Sequence, residues 1–152
     1  MHRKTLIAAA SLLALAAPAG AAEIRLNGTL LSSCILSLAT PGQLALSADA
    51  TTYGSEQAGG LAATMTVVAI GAAPTVEFTT PAVDAPAGFA PTAQAEIRYT
   101  SLGGSNQAYT GAASSSSAVR LLDTFTIHGR IVSTEGFQSG NYAVRTTATC
   151  EQ

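Results

Sequence analysis

The side chains with chemistry to offer in this 152-residue chain are few: two cysteines, Cys34 and Cys150, one histidine beyond residue 2, His128, and nine carboxylates. In an exported chain the two thiols should pair, because the compartments beyond the inner membrane keep cysteines oxidised. Such a bond closes a loop of more than a hundred residues, for which chain-entropy estimates run to about 4–5 kcal/mol. A reactive or metal-binding thiol pair would need C-x-x-C spacing or a histidine cluster, and neither occurs. His128 has parity opposite to Phe125 and Ile127 in an alternating run, which makes it a solvent-facing strand residue. Glu77 and Glu96 could pair across neighbouring strands, as glycoside chemistry requires, or could stand exposed opposite Arg98 or Arg130. No G-x-S-x-G turn appears, and Asp49, Asp84 and Asp123 are too far apart for a calcium loop. The expectation is a protein with no catalytic residues, no cofactor and no metal.

The elements that position these residues begin after a leader. Met1-His2-Arg3-Lys4 is a positive head, an apolar run of about a dozen residues follows, and Ala19-Gly20-Ala21 supplies an A-x-A cleavage pattern. Residues 1–22 read as a signal peptide, since the apolar run is too short for a membrane span. Residues 23–152 read as one β-sandwich domain, exported to the periplasm, the cell surface or a fimbrium, with no membrane span once the leader is gone. Without Arg3 and Lys4, five arginines face nine carboxylates, 5 − 9 = −4, and there is no basic cluster. This balance excludes nucleic acid and anionic membranes as natural partners.

Period-two alternation marks the strands. It is clear at residues 23–30, 33–38, 43–47, 64–70, 75–79, 95–100, 123–132 and 142–150. Gly71 to Pro74 suits a hairpin between its flanking strands, while 49–60, the proline-punctuated 81–91 and the Gly/Ser-rich 103–117 read as loops. The serine-rich tract is either a mobile loop or a flexible interaction surface. No amphipathic helix is evident after the leader. Seven or eight short strands point to an all-β, antiparallel sandwich in an immunoglobulin-like arrangement, with a closed barrel as the competitor.

Two stretches carry a resemblance. Gly28-Thr29-Leu30-Leu31-Ser32-Ser33-Cys34-Ile35-Leu36 resembles the first strand of chaperone–usher pilins and of the spore coat protein U domain. Gly140-Asn141-Tyr142-Ala143-Val144-Arg145-Thr146-Thr147-Ala148-Thr149 resembles the last strand of those families. The resemblance implies a secreted structural or adhesive subunit that accepts a strand from a neighbour, assembling with itself or other surface subunits and using a periplasmic chaperone and usher. Leu30, Ile35, Phe125, Ile127, Tyr142 and Val144 are then the residues expected to line the acceptor groove. Only Glu23 to Asn27 precede Gly28, too few for a separate donor strand, which favours a stand-alone or chain-capping subunit. The alternative is a carbohydrate or small-ligand module in which Tyr53, Tyr99 and Tyr109 stack on sugar rings.

Overall fold

A computed structural model describes residue 25 and residues 27–89, 92–119 and 121–152. The leader at 1–22 lies outside these residues, as does part of the alternating stretch at 23–30; its described part, Arg25 and residues 27–30, carries no strand. The described chain is all β. Its strands are β1 (Ser33–Thr40), β2 (Ala45–Leu46), β3 (Thr52–Gly54), β4 (Ala63–Ile70), β5 (Thr75–Phe78), β6 (Ala82–Asp84), β7 (Gln94–Ser101), β8 (Asn106–Thr110), β9 (Ser114–Ser117), β10 (Leu121–Val132), β11 (Ala143–Arg145) and β12 (Ala148–Glu151).

These strands form an antiparallel β-sandwich. The larger sheet is built on β10, the longest strand, whose first half pairs with β4 and whose second half pairs with β3 on the same side. β7 runs along its other side and carries β8, while β1 lies outside β4 and β2 outside β3. The opposing layer is made of two smaller sheets, β12-β5-β9 and β11-β6. Met65, Val67, Ile97, Tyr99 and Phe125 reach inward from the large sheet and meet Val76 and Phe78 from the small one. Phe78 and Tyr99 stack at 4.5 Å between ring centroids. With no tryptophan in the chain, these rings supply the largest single pieces of buried apolar area.

Gly71 to Pro74 do not make a hairpin. β4 and β5 belong to different sheets, because Gly71 adopts a φ of 100° and Pro74 is buried, so the chain passes over the edge of the sandwich. The inward parities of both strands then face one core from opposite sides. Four further strands lie in stretches whose composition reads as loop. β3, β6, β8 and β9 hold their places through backbone pairing, and serines 114–117 form an edge strand on β5 with no apolar side chain. Composition reports side chains, whereas a ladder needs only N–H and C=O groups.

Asp123 shares the inward parity of Phe125 and is only 1% exposed. Its carboxylate accepts hydrogen bonds from Gly103 N–H (2.9 Å), Val119 N–H (3.2 Å), Thr124 N–H (2.8 Å) and the Ser101 hydroxyl (3.0 Å). One buried anion therefore closes the turn after β7 and sets the entry to β10. Truncation leaves four donors without an acceptor, so Asp123→Ala should cost about 3 kcal/mol in urea unfolding; a loss under about 1 kcal/mol would show that this turn is held by other contacts.

Candidate functional site

The two cysteines are joined, with Cα atoms 6.1 Å apart across a sequence separation of 116. Cys34 lies on β1, an edge strand of the large sheet, and Cys150 on β12, an edge strand of the facing layer. The two edges are held close at the sulfur bridge and do not pair with each other. β11, which continues the same edge away from the bridge, pairs only with β6. Between β1 on one side and residues 140–148 on the other, the sandwich is open.

This opening is a groove of about 1080 Å³. Its floor is apolar, formed by Met65, Phe78, Ile97 and Ile127, and its walls are Leu36 and Leu38 of β1 and Val144 and Ala148 of the facing edge. The lining stops short of both cysteines, so the bridge closes one end. At the other end the lining continues past β1 through residues 41–44 to Tyr53, Leu61 and Tyr142. There Tyr53, Phe89, Phe137 and Tyr142 form an aromatic cluster with ring centroids 4.9 to 5.7 Å apart. Tyr142 is fixed further by its hydroxyl, which donates to the Gln138 carbonyl at 2.9 Å and accepts from Gln138 N–H at 3.1 Å. Gly140 precedes it at a φ of 153°, where a Cβ would collide with the Pro86 ring. The final segment is thus anchored beyond the groove by rings and within it by backbone pairing to β6, with Arg145 ion-paired to Asp84.

The six residues expected to line a groove are placed in three ways. Ile127, Tyr142 and Val144 line it. Phe125 lies in the core, fully buried. Ile35 is of opposite parity to Cys34 and Leu36, so it faces outward from the large sheet, and Leu30 sits exposed ahead of β1. Leu36, Leu38, Met65, Phe78 and Ile97 line the groove without having been singled out. Parity relative to Cys34 is the signal that points to Leu36 and Leu38. The floor residues gave no local signal, because core and groove positions share one parity.

The three tyrosines considered for sugar stacking do not make one platform. Tyr99 is buried against Phe78, and Tyr53 belongs to the aromatic cluster. Tyr109 lies on the outer face of the large sheet, where its hydroxyl donates to Glu56 at 2.7 Å and Arg130 stacks on its ring at 3.9 Å. Arg98 pairs with Glu56 and Arg130 with Glu96, each at 2.6 Å. Burial and the neighbouring Glu56 carboxylate push the Tyr109 phenol well above its ordinary range. Glu77 stands on β5, in the other layer from Glu96. These interlocked charges tie β8 and residue 56 to the sheet. Among the described residues no cluster of His, Cys, Asp and Glu could hold a metal ion, and no helix is long and apolar enough to cross a membrane.

His128 borders this network. Its Nδ1 is hydrogen bonded to the Ser55 hydroxyl at 3.1 Å, and Ser55 Oγ also accepts from Gly129 N–H at 3.1 Å. Partial burial lowers the His128 pKa below 6.5; Arg98 acts in the same direction and Glu56 opposes it. The unfolded chain therefore binds more protons in this window, so stability is complete above about pH 6.5 and falls as the pH drops below it. The melting temperature should fall more between pH 7.5 and pH 5 in the natural chain than in His128→Gln, at about neutral-imidazole conditions for the first value; equal falls would show that this group is not linked to folding.

No family model, curated protein or solved structure matches this chain. The groove and its two edges are the geometry on which a functional reading rests.

Proposed function

We propose that this protein is an exported structural subunit that accepts an extended strand from another polypeptide into the groove between β1 and β11–β12. The observation that carries this reading is the coincidence of an apolar floor with unpaired strand edges on both sides. An open edge offers main-chain donors and acceptors in a row, and a floor of inward side chains selects alternate residues of whatever lies on it. A strand with aliphatic residues at every second position satisfies both.

The chain carries such a sequence itself. β1, the first strand among the described residues, starts at Ser33, later than the glycine motif suggests, so residues 23–32 lie ahead of it in the chain. Ile24, Leu26 and Leu30 share one parity in that stretch, with Gly28 between them. Ten extended residues reach roughly 33 Å, longer than the roughly 26 Å of an eight-residue strand such as β1. With β1 beginning at Ser33 and not near Gly28, the residues ahead of it are long enough for a separate donor strand. The resemblance to pilin-like and spore-coat-U-like subunits agrees with this reading, as does the pattern of an exported leader followed by a disulfide-closed domain.

A synthetic peptide of residues 23–32 should bind the exported protein saturably and raise its melting temperature. Leu26→Asp in the peptide, which leaves the protein untouched, should weaken binding by about tenfold or more, and Val144→Asp in the groove should do the same. A peptide that fails to bind, or that binds equally well with Leu26→Asp, would contradict strand acceptance.

A further inference from the structure

Asn27-Gly28-Thr29 is a motif that neither the core nor the groove uses. It fits the N-x-T glycan acceptor pattern, but its first two residues have a chemistry of their own. The side-chain amide of an asparagine can be attacked by the backbone nitrogen of the next residue. Glycine in that place favours the attack, because it has no Cβ to hinder the approach or restrict the backbone. Of the chain's three asparagines, Asn27, Asn106 and Asn141, only Asn27 is followed by glycine.

The surroundings leave this attack open. Asn27 and Gly28 are both exposed and lie outside every strand. Neither makes a hydrogen bond, and a Cβ built on Gly28 would meet no atom within 4 Å. The Gly28 N–H is therefore held by no ladder. The other two asparagines are constrained: Asn106 is paired with Thr100 between β7 and β8, and Asn141 precedes Tyr142, whose ring packs on Phe137.

We propose that Asn27-Gly28 is a self-modification site whose conversion disables residues 23–32 as a donor strand. The Gly28 nitrogen bonds to Asn27 Cγ, the Cγ–Nδ2 bond breaks, and Nδ2 leaves as ammonia with the proton from the Gly28 amide. Water then opens the cyclic imide. Opening at Cγ leaves aspartate at position 27, while opening at the main-chain carbonyl leaves isoaspartate, in which the backbone runs through Cβ and Cγ. The sum is hydrolysis of one amide: water is consumed, ammonia is released, no electrons are transferred, and solvent is the only co-reactant.

The consequence, though not the chemistry, rests on the strand-accepting reading above. Ile24, Leu26 and Leu30 share one parity. An isoaspartate at position 27 inserts an extra backbone carbon among them, so the side chains before and after it no longer fall on one face. A segment seated between two strand edges is extended, and its Gly28 amide is paired, which prevents ring closure. A donor in place is thus preserved, and one left unpaired is lost with time.

The test ages the exported protein in neutral and in mildly alkaline buffer and follows each asparagine by peptide mass spectrometry, with isoaspartate separated from aspartate by chromatography. Asn27 should convert about tenfold or more faster than Asn106 and Asn141, through a species that has lost ammonia, and Gly28→Ala should slow it by a similar factor. A synthetic 23–32 peptide with isoaspartate at position 27 should bind the protein about tenfold or more weakly than the unmodified peptide. An Asn27 that persists as long as the other two, or that carries a glycan, would overturn the inference, as would equal binding of the two peptides. Failure of the unmodified peptide to bind while Asn27 still converts would remove strand acceptance, and the donor role with it, and leave the modification itself standing.

Discussion

The sulfur bridge between Cys34 and Cys150 is the constraint from which the rest of the molecule follows. It joins the edge strands of two facing sheets while leaving those edges without a shared ladder. A sandwich normally covers its inner faces by closing its layers along their whole length. Here one covalent point joins the two edges at one end, and along the remainder of β1 the edges stand apart across the groove. Because the linked residues are 116 apart in sequence, the bond also removes more unfolded-state freedom than a local bridge would.

The opening persists because each wall is stabilised from behind. β1 is paired with β4 over most of its length, and β4 is paired in turn with β10. On the far side β12 is paired with β5 and β11 with β6. The aromatic cluster around Phe137 and Tyr142 fixes the approach to that wall. The sheet edges are consequently preformed, and a strand entering between them would add main-chain bonds without having to separate existing ones. This favours binding, since less ordering is required of the acceptor.

Much of this arrangement was legible in the chain. β1, β4, β7 and β10 follow their alternating side chains because each has one wet and one buried face, and the two cysteines, the chain's full complement, pair with each other. β3, β6, β8 and β9 were not legible, since their places depend on backbone pairing with distant strands and their residues are small or polar. The last strand reads as continuous to Cys150, yet it divides at Thr146 and Thr147 as the chain passes from β6 to β5. Parity would have placed Ile35 on the outer face and Asp123 inside. The groove floor could not be read locally, because Met65 and Ile97 carry the same pattern as the other inward core residues and are as deeply buried.

Hydrogen exchange at the groove edges tests the central claim most directly. In the isolated protein the outward amides of β1 and of residues 143–148 should exchange rapidly, while those of β4 and β10 stay protected. On assembly, or with the 23–32 peptide bound, protection should appear along both edges together. Edges already protected in the isolated chain, or unchanged when assembly is complete, would contradict the account.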